Sequence, residues 1–303
     1  MIYIRSKGRL GNQLFIYAFA RALSKKLNQG ILMYDRKNEK DNRWYSHLDN
    51  YKLHSSVKFT SQKKMVLPKS FMGKLLYYRD RLFLRGKDNE KIHTGQLERM
   101  KNNIKYGLLL LQDGYIDLSK YNIPQNVYCD GYFQSPAYFD EIRDDLLQEL
   151  TPINEYTDEE KAFVNEIKKY NSVCVTIRLG DYLGNSVHQV CTKEYYLSAM
   201  RKMKEMQPDC HFFVFSDEVE KAKDVFQFEY PVTYESTSPK SSDIIGLDIM
   251  SKCNHFIISN SSYSWWAQYL GNYKNKIVIS PDHWYASDVP CDIMQSTWLK
   301  MEC

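Results

Sequence analysis

Short apolar runs alternate with segments of helical periodicity throughout the second half of the chain. The apolar runs predict strands at 173–177, 212–215, 231–234, 255–258 and 276–279. The segments between them predict helices at 193–206, 218–227, 243–253 and 262–270. Strands rich in Val, Ile and Phe that alternate with helices are typical of a parallel sheet covered on both faces. The pattern therefore predicts an α/β fold, preceded by a charged helix at 156–170.

The first half of the chain has a regular pattern only at its start. Residues 2–4 predict a strand, 8–13 a tight loop, and 14–27 a helix. The apolar residues expected on one face of that helix are Leu14, Phe15, Ala18, Ala22 and Leu23. Beyond this helix the alternation stays weak as far as Leu150. We therefore predict two domains, an amino-terminal lobe at 1–155 on the acceptor side and a carboxyl-terminal, nucleotide-sugar-binding lobe at 156–303.

Composition narrows the class of protein. With 303 residues, of which 43% are hydrophobic and 26% charged, the chain has the composition of a soluble globular protein. No stretch approaches the roughly 20 apolar residues that cross a bilayer, and the first residues enter a strand pattern rather than a signal peptide. Seven cysteines without a Cys-x-x-Cys pair favour reduced thiols over disulfides or zinc. These features predict a cytoplasmic protein.

Positive charge is concentrated in one segment. Residues 58–105 contain 13 Lys and Arg against 4 Asp and Glu, a net charge of +9 in a chain whose total is +4. Within this segment, residues 71–83 place apolar side chains at helical spacing with basic residues between them. Such a helix either has a solvated basic face or contacts an anionic membrane. Nucleic-acid binding is not expected, because no recognised motif accompanies the charge.

The strand at 173–177 ends in a loop that begins with Arg178. In parallel α/β sheets, ligands bind outside the carboxyl ends of the strands, a rule that selects the loops 178–182, 216–217 and 259–262. A guanidinium presents a planar fork of donors that suits phosphate or carboxylate. The pattern leaves two interpretations open, an anion site at Arg178 or a salt bridge from Arg178 to Asp181 that closes the turn.

The other two loops offer groups that suit a nucleotide diphosphate. Ser261 and Ser262 open a helix whose free N–H groups attract an anion, although a serine at this place is also typical of a helix cap. Asp217 can accept two hydrogen bonds from a base edge with adjacent donors, as guanine has, or it can cap a helix. Together the loops predict a nucleotide site, and each structural alternative stays open.

Three absent motifs limit the chemistry. No Gly-x-Gly-x-x-Gly follows a strand, which argues against a dinucleotide oxidoreductase, and no Gly-x-x-x-x-Gly-Lys-Ser/Thr occurs, which argues against a P-loop kinase. The chain also lacks Asp-x-Asp, so no carboxylate pair is expected to hold Mg²⁺ or Mn²⁺ on a diphosphate. We therefore expect no metal and no cofactor, with arginine and helix amides in the metal's electrostatic role.

Five segments together resemble the α-1,2-fucosyltransferases, glycosyltransferase family eleven, chiefly its bacterial members. These segments are Gly8–Phe15, Asp130–Phe139, Val187–Cys191 with Tyr195 and Tyr196, Phe215–Asp217, and Ser259–Trp266. The resemblance implies a GT-B fold of two Rossmann-like lobes, with GDP-fucose held mainly by the carboxyl-terminal lobe. It also implies metal-independent, inverting transfer of L-fucose to O-2 of a galactose-type residue, on an oligosaccharide or lipid-linked glycan.

The resemblance assigns roles to individual residues. Arg178 matches the arginine expected on the donor β-phosphate, Asp181 matches the aspartate of the same motif, and Asp217 matches a residue near guanine. The other donor-binding residues that it implies are Gly11, Asn12, Gln13, Ser216, Asn260, Ser261 and Ser262. His188 is the candidate general base, because the pKa of imidazole suits the removal of a proton from a sugar hydroxyl. A loop histidine is also a common structural hydrogen-bond partner.

Two positions depart from the family motif. Thr176 occupies the position of its histidine, and Leu179 that of its second arginine. The departures leave open a transferase that uses a different GDP-sugar, and a non-catalytic protein that binds a sugar nucleotide or glycan is a further alternative. The basic helix at 71–83 suits an enzyme in peripheral contact with the inner membrane face.

Overall fold

The computed structural model describes residues 1–35, 47–83, 89–111, 114–180, 190–235, 242–286 and 291–303, with backbone alone for 89–94. The chain divides into two compact units. Unit 1 comprises Met1–Thr151 and Asp288–Met294, and unit 2 comprises Pro152–Ser287 and Gln295–Cys303. The acceptor and donor roles assigned to the two halves stay predictions.

Unit 1 is built on a five-stranded parallel sheet in the order β3-β2-β1-β5-β4. Its strands are β1 (Ile2–Arg5), β2 (Ile31–Tyr34), β3 (Val57–Thr60), β4 (Leu108–Leu111) and β5 (Val127–Gly131). Its helices are α1 (Leu10–Leu27), α2 (Phe71–Phe83), α3 (Asn89–Asn103) and α4 (Arg143–Glu149). The weak alternation of this region therefore conceals a second parallel sheet.

Helix α1 differs from its prediction in two ways. It begins at Leu10, so residues 11–13 lie in its first turn and not in a loop. Between Leu10 and Ser24 every residue except Asn12 and Ala22 is buried, where a single buried face was predicted. The reason is packing on two sides, because α1 contacts β1 and β2 and its Phe19 also stacks on Phe133, with ring centroids 3.8 Å apart.

Unit 2 is built on a six-stranded parallel sheet in the order β11-β10-β9-β6-β7-β8, which confirms the predicted α/β fold. Its strands are β6 (Asn171–Ile177), β7 (Cys210–Ser216), β8 (Val232–Tyr234), β9 (His255–Ile257), β10 (Val278–Pro281) and β11 (Leu299–Met301). Its helices are α5 (Asp158–Ile167), α6 (Lys193–Met206), α7 (Val219–Val225), α8 (Asp243–Met250) and α9 (Ser262–Leu270). Every element predicted here is present within a few residues, and β11 is an addition.

The strand order of unit 2 reverses at β6. From β6 the chain proceeds to β7 and β8 on one side, and it then returns to β9 on the other side. Ligands of open α/β sheets bind in the crevice outside such a reversal, at the carboxyl ends of the strands. The topology therefore directs attention to the loops that follow β6, β7 and β9.

The described helices include none that combines the length and the apolar character needed to cross a membrane. All seven cysteines are free thiols in this structure. The predicted basic helix is present as α2, with the predicted bounds.

Candidate functional site

A cleft of about 130 Å³ opens at the carboxyl ends of the unit 2 strands. The loops after β6, β7, β8 and β9 and the start of α8 form its walls. Its polar lining includes Arg178, Asp217, Glu235, Ser242, Ser261 and Tyr263. The structure thus brings together the three loops that the strand-end rule selected.

Arg178 and Asp217 form an ion pair in this cleft. The sheet register pairs Ile177 with Ser216, so the next residue of each strand follows at the same level. Arg178 Nε lies 3.1 Å from Asp217 Oδ2, and both side chains are about one-fifth exposed. Strand pairing thus brings the Asp217 carboxylate to the guanidinium, and the salt bridge from Arg178 to Asp181 stays a prediction because Asp181 lies outside the described residues.

The Asp217 carboxylate also holds the loop that follows β6. The N–H of Leu179 donates to Oδ1 at 2.9 Å, and the N–H of Gly180 donates to Oδ2 at 3.1 Å. This approach requires a glycine, because a Cβ on Gly180 would lie 2.7 Å from Oδ2. Asp217 is therefore an anchor of the Arg178 loop. The N-cap of α7 is Glu218 and not Asp217, and a contact of Asp217 with guanine stays a prediction.

The two departures from the family motif have structural explanations. The Thr176 hydroxyl accepts a hydrogen bond from the Ser259 N–H at 3.1 Å and so joins the end of β6 to the loop after β9. The Leu179 side chain is buried in the apolar core of unit 2. Neither side chain is a charged group directed at a ligand.

Ser261 caps α9 at the cleft wall. Its hydroxyl accepts a hydrogen bond from the Tyr263 N–H at 3.3 Å, as the cap interpretation predicted. The nine-residue helix therefore begins at the cleft, and its N-terminal N–H groups and dipole favour an anion there. The Tyr263 hydroxyl donates to the Asp243 carbonyl at 2.6 Å, which ties α9 to the start of α8.

Asn260 and Ser216 form hydrogen bonds with neighbouring segments of the chain. Asn260 is buried, and its Nδ2 donates to the Trp284 carbonyl at 3.0 Å while its Oδ1 accepts from Cys191 Sγ at 3.6 Å. Burial raises the pKa of the Cys191 thiol to about 12, so the thiol keeps its proton at neutral pH. Ser216 lines the cleft, and its hydroxyl accepts from the Glu218 N–H at 3.1 Å. Ser262 is the half-exposed first residue of α9.

Glu235 is a cleft residue that the sequence reasoning missed. It follows β8, its side chain is buried, and its N–H donates to the Val214 carbonyl at 2.9 Å. The rule that selected the other loops applies to β8 as well. The signal was weak, because β8 is only three residues long and no recognised motif follows it.

Gly11, Asn12 and Gln13 all lie in unit 1, where they form internal contacts. Asn12 Oδ1 accepts from Gln134 Nε2 at 2.7 Å. Gln13 Nε2 donates to the Gly8 carbonyl at 2.9 Å, and its Oε1 accepts from the His47 N–H at 3.0 Å. Gly11 is buried within α1. These contacts give the three residues a structural role in unit 1, and their contact with a donor stays a prediction.

The remaining predicted groups are not part of the described cleft. Asp181 and His188 lie outside the described residues. Among the residues with described placement, one group has the ligand types and spacing to hold a metal ion, and it consists of Asp282, His283 and Cys303. These residues are absent from the cleft lining. Metal independence stays a prediction.

The fold is similar to that of solved GT-B-like fucosyltransferases. The NodZ structure from Bradyrhizobium aligns with a TM-score of 0.50 over 88% of this chain and 92% of that chain, at 13% identity. NodZ α-1,6-fucosyltransferase co-crystallised with GDP gives 0.51 over 88% and 91%, and the same enzyme soaked with GDP-fucose gives 0.50 over 89% and 92%, both at 13% identity. The GT-B-like fold expected from the sequence is confirmed.

Two Escherichia coli proteins are similar along their whole length. The O-antigen biosynthesis glycosyltransferase WbnK is 28% identical over 99% of this chain and 100% of its own. An alpha-1,2-colitosyltransferase is 29% identical over 100% of this chain and 99% of its own. The family model for glycosyl transferase family 11 matches residues 1–302. The chain therefore belongs to glycosyl transferase family 11 and is a glycosyltransferase.

Proposed function

We propose that this protein transfers L-fucose from GDP-fucose to a glycan hydroxyl, with inversion at the anomeric carbon and without a metal. The observation that carries the proposal is the position of the Arg178 guanidinium. Asp217 holds it in the cleft, and the N-terminus of α9 forms part of the wall of the same cleft. This arrangement offers an anion two sources of positive potential. NodZ, which was co-crystallised with GDP and soaked with GDP-fucose, supplies a precedent for the donor on this fold.

The cleft residues suit the departure of GDP. As the bond between the anomeric carbon and the phosphate oxygen breaks, negative charge grows on the β-phosphate. Arg178 and the α9 N–H groups stabilise that charge more in the transition state than in the ground state, which lowers the barrier. The acceptor hydroxyl attacks from the opposite face, and in this proposal His188 takes its proton.

A second donor is supported by a specific observation. One relative is an alpha-1,2-colitosyltransferase, and colitose is L-fucose without its 3-hydroxyl. A GDP-linked colitose presents the same base and diphosphate to Arg178 and α9, so these residues do not distinguish the two donors. A protein group that hydrogen-bonds the 3-hydroxyl of fucose would distinguish the two donors. That group would be left without its partner when GDP-linked colitose binds, and a buried polar group without a partner is costly.

Acceptor-independent release of GDP tests the donor and the site together. Purified protein is incubated with EDTA and with GDP-fucose, GDP-colitose or GDP-mannose. We expect GDP release from GDP-fucose, and we expect this release to be about 100-fold slower in Arg178→Ala. The control Arg201→Ala removes an exposed arginine of the same unit and should leave the release rate unchanged. Calorimetric binding of GDP without release from any donor would identify a binding protein instead, and loss of release with EDTA would contradict metal independence.

The acceptor proposal is a galactose-type residue that receives the sugar on O-2, on a free or lipid-linked oligosaccharide. WbnK, a relative over the whole chain, acts in O-antigen biosynthesis. β-Galactosides and their 2-deoxy analogues form a matched acceptor pair. We expect transfer to the galactoside alone, and transfer to the 2-deoxy compound would exclude the O-2 linkage.

A further inference from the structure

Helix α2 carries apolar side chains on two opposite faces. One face packs against unit 1 and contains the buried residues Gly73, Leu76, Tyr77 and Asp80. The other face exposes Phe71 (81%), Leu75 (53%), Tyr78 (55%) and Leu82 (63%), which we call the α2 stripe. Surface helices of globular proteins normally place polar residues on the face away from the core. An exposed apolar stripe of this kind is typical of an interaction surface.

The stripe is a continuous band. Its members follow one another at intervals of four, three and four residues, and each residue of an α-helix turns by about 100°. The four side chains therefore fall within an arc of about 60° on the helix surface. The buried residues lie on the opposite side, so the unit 1 core leaves the band uncovered.

Basic residues border the stripe on both sides. At the same angular spacing, Lys74 and Arg81 flank one edge and Arg79 flanks the other. All three are exposed. Long basic side chains can extend their charged ends from an apolar surface to the headgroups of a bilayer while their methylene stems cover apolar area.

A groove beside the stripe adds further positive charge. It has a volume of about 480 Å³ and runs between the 3-10 turn Lys63–Val66 and α2. Lys63, Lys64 and Arg81 line it together with Tyr78 and Leu82 of the stripe. Cations and exposed apolar side chains thus share one surface, as an anionic lipid with its phosphate and acyl chains requires.

We propose that α2 docks this protein on an anionic phospholipid bilayer. The α2 stripe enters the acyl boundary, and the groove binds a lipid phosphate through Lys63, Lys64 and Arg81. The net charge of +9 over residues 58–105 favours an anionic partner and disfavours a second copy, because two copies docked through α2 would bring like charges together. This docking does not depend on the donor or on the transfer reaction.

Vesicle flotation with the full chain tests the docking. Vesicles of phosphatidylcholine are compared with vesicles that also contain phosphatidylglycerol. We expect flotation only with phosphatidylglycerol, and weaker flotation as salt is added. F71S/L82S should reduce the partition coefficient at least about tenfold, and K63Q/K64Q should reduce it about 30-fold. The matched controls Ile153→Ser and Lys161→Gln change a 55% exposed isoleucine and a 53% exposed lysine of unit 2, and both should bind like the unaltered chain.

Circular dichroism and light scattering complete the experiment. Every variant should retain the spectrum of the unaltered chain, because all the changed side chains are exposed. Equal flotation of F71S/L82S and the unaltered chain, or flotation with neither vesicle, would overturn the proposal. A dimer of the unaltered chain that is absent in F71S/L82S would also overturn the proposal, because it would show that the stripe binds a second copy. If inorganic phosphate prevents flotation and F71S/L82S does not weaken it, the proposal would also be overturned, because the groove would then bind a free anion rather than a bilayer.

Discussion

The guanidinium of Arg178 and the carboxylate of Asp217 form an ion pair across two adjacent parallel strands, with Nε and Oδ2 3.1 Å apart. Asp217 also accepts the N–H groups of Leu179 and Gly180, the next two residues of the loop that carries the arginine. One carboxylate therefore fixes both the backbone and the side chain at the carboxyl end of β6. A guanidinium fixed in this way is organised before the donor binds, which is the condition for electrostatic stabilisation of a leaving group.

The first prediction is that Asp217 acts through Arg178. Arg178→Ala should slow GDP release about 100-fold, and Asp217→Asn about tenfold, because the amide replaces an acceptor of the loop N–H groups with a donor. The double variant should be little slower than Arg178→Ala, since the anchor has no function without the guanidinium. Release rates of the four proteins measure this coupling directly.

Asp224→Asn provides the control for that cycle, because it neutralises an exposed carboxylate of the same unit. Its release rate should equal that of the unaltered chain. Losses that multiply in the double variant would show that Asp217 and Arg178 act independently, as they would if Asp217 contacted the base.

The second prediction concerns the glycine of the loop. Gly180→Ala places a Cβ 2.7 Å from Asp217 Oδ2, and the carboxylate or the loop must move to accommodate it. GDP release should fall between about tenfold and 100-fold, because a displacement of about 1 Å near a reacting group has effects of this size. Gly30→Ala is the control, since the nearest atom to its new Cβ lies at 3.4 Å. An unchanged rate in Gly180→Ala would mean that the loop position does not matter.

The elements of unit 2 were predictable because local and global signals agree there. Strand 212–215 is apolar throughout, and strand 173–177 is apolar except for Thr176. Helix 193–206 has its predicted bounds, since Thr192 caps it by accepting the Tyr195 N–H at 3.2 Å. The start of α1 was not predictable in this way. Glycine and asparagine are weak helix formers, and tertiary contacts such as the Asn12–Gln134 hydrogen bond at 2.7 Å override that tendency.

The site was predictable in its loops but not in its pairings. The strand-end rule places Arg178 and Ser261 at one cleft from sequence alone. The ion pair of Arg178 with Asp217 depends on which residues of β6 and β7 lie opposite each other, and an apolar run does not specify that register. For the same reason, the hydrogen bond between Thr176 at the end of β6 and Ser259 after β9 could not be predicted from the spacing of these residues in the sequence.

The third prediction contrasts two ion pairs of unit 1. The buried Arg21 guanidinium makes a bidentate pair with Glu149, with Nη2 2.7 Å from Oε1, and the Tyr17 hydroxyl donates to Glu149 at 2.6 Å. Arg21→Ala should lower the free energy of unfolding by about 3 to 5 kcal/mol, because it leaves the buried carboxylate without its cation. Urea unfolding followed by far-UV circular dichroism measures the change.

The pair of Lys25 and Asp145, one turn further along α1, is the matched comparison. Its nitrogen–oxygen distance is also 2.7 Å, but its side chains are 57% and 41% exposed. Lys25→Ala should therefore change the free energy of unfolding by less than about 1 kcal/mol. Similar losses in the two variants would show that burial does not decide the contribution of these pairs.

The fourth prediction is a pH dependence of stability at Asp130. Burial by itself raises the pKa of this carboxyl, but Lys7, whose ammonium donates to Oδ1 at 2.9 Å, together with Arg5 and Arg81, outweighs burial and lowers the pKa below its ordinary value of 3.8. A group with a depressed pKa in the folded state contributes stability above its unfolded pKa, and the contribution is lost as the pH falls through the folded pKa. Asp130→Asn should therefore lower the free energy of unfolding by about 1 to 3 kcal/mol at pH 7.

The difference between the unaltered chain and Asp130→Asn should stay constant from neutral pH to about pH 4 and shrink below it. Urea unfolding at a series of pH values measures this difference. Lys7→Met is the complementary variant, because it removes the nearest cation and so raises the folded pKa of Asp130 toward its unfolded value. Less stability should then be lost as the pH falls below about 4. A difference between the unaltered chain and Asp130→Asn that grows as the pH falls below 4 would mean that the carboxyl is protonated more readily in the folded protein than in the unfolded chain, so that burial outweighs Lys7, Arg5 and Arg81.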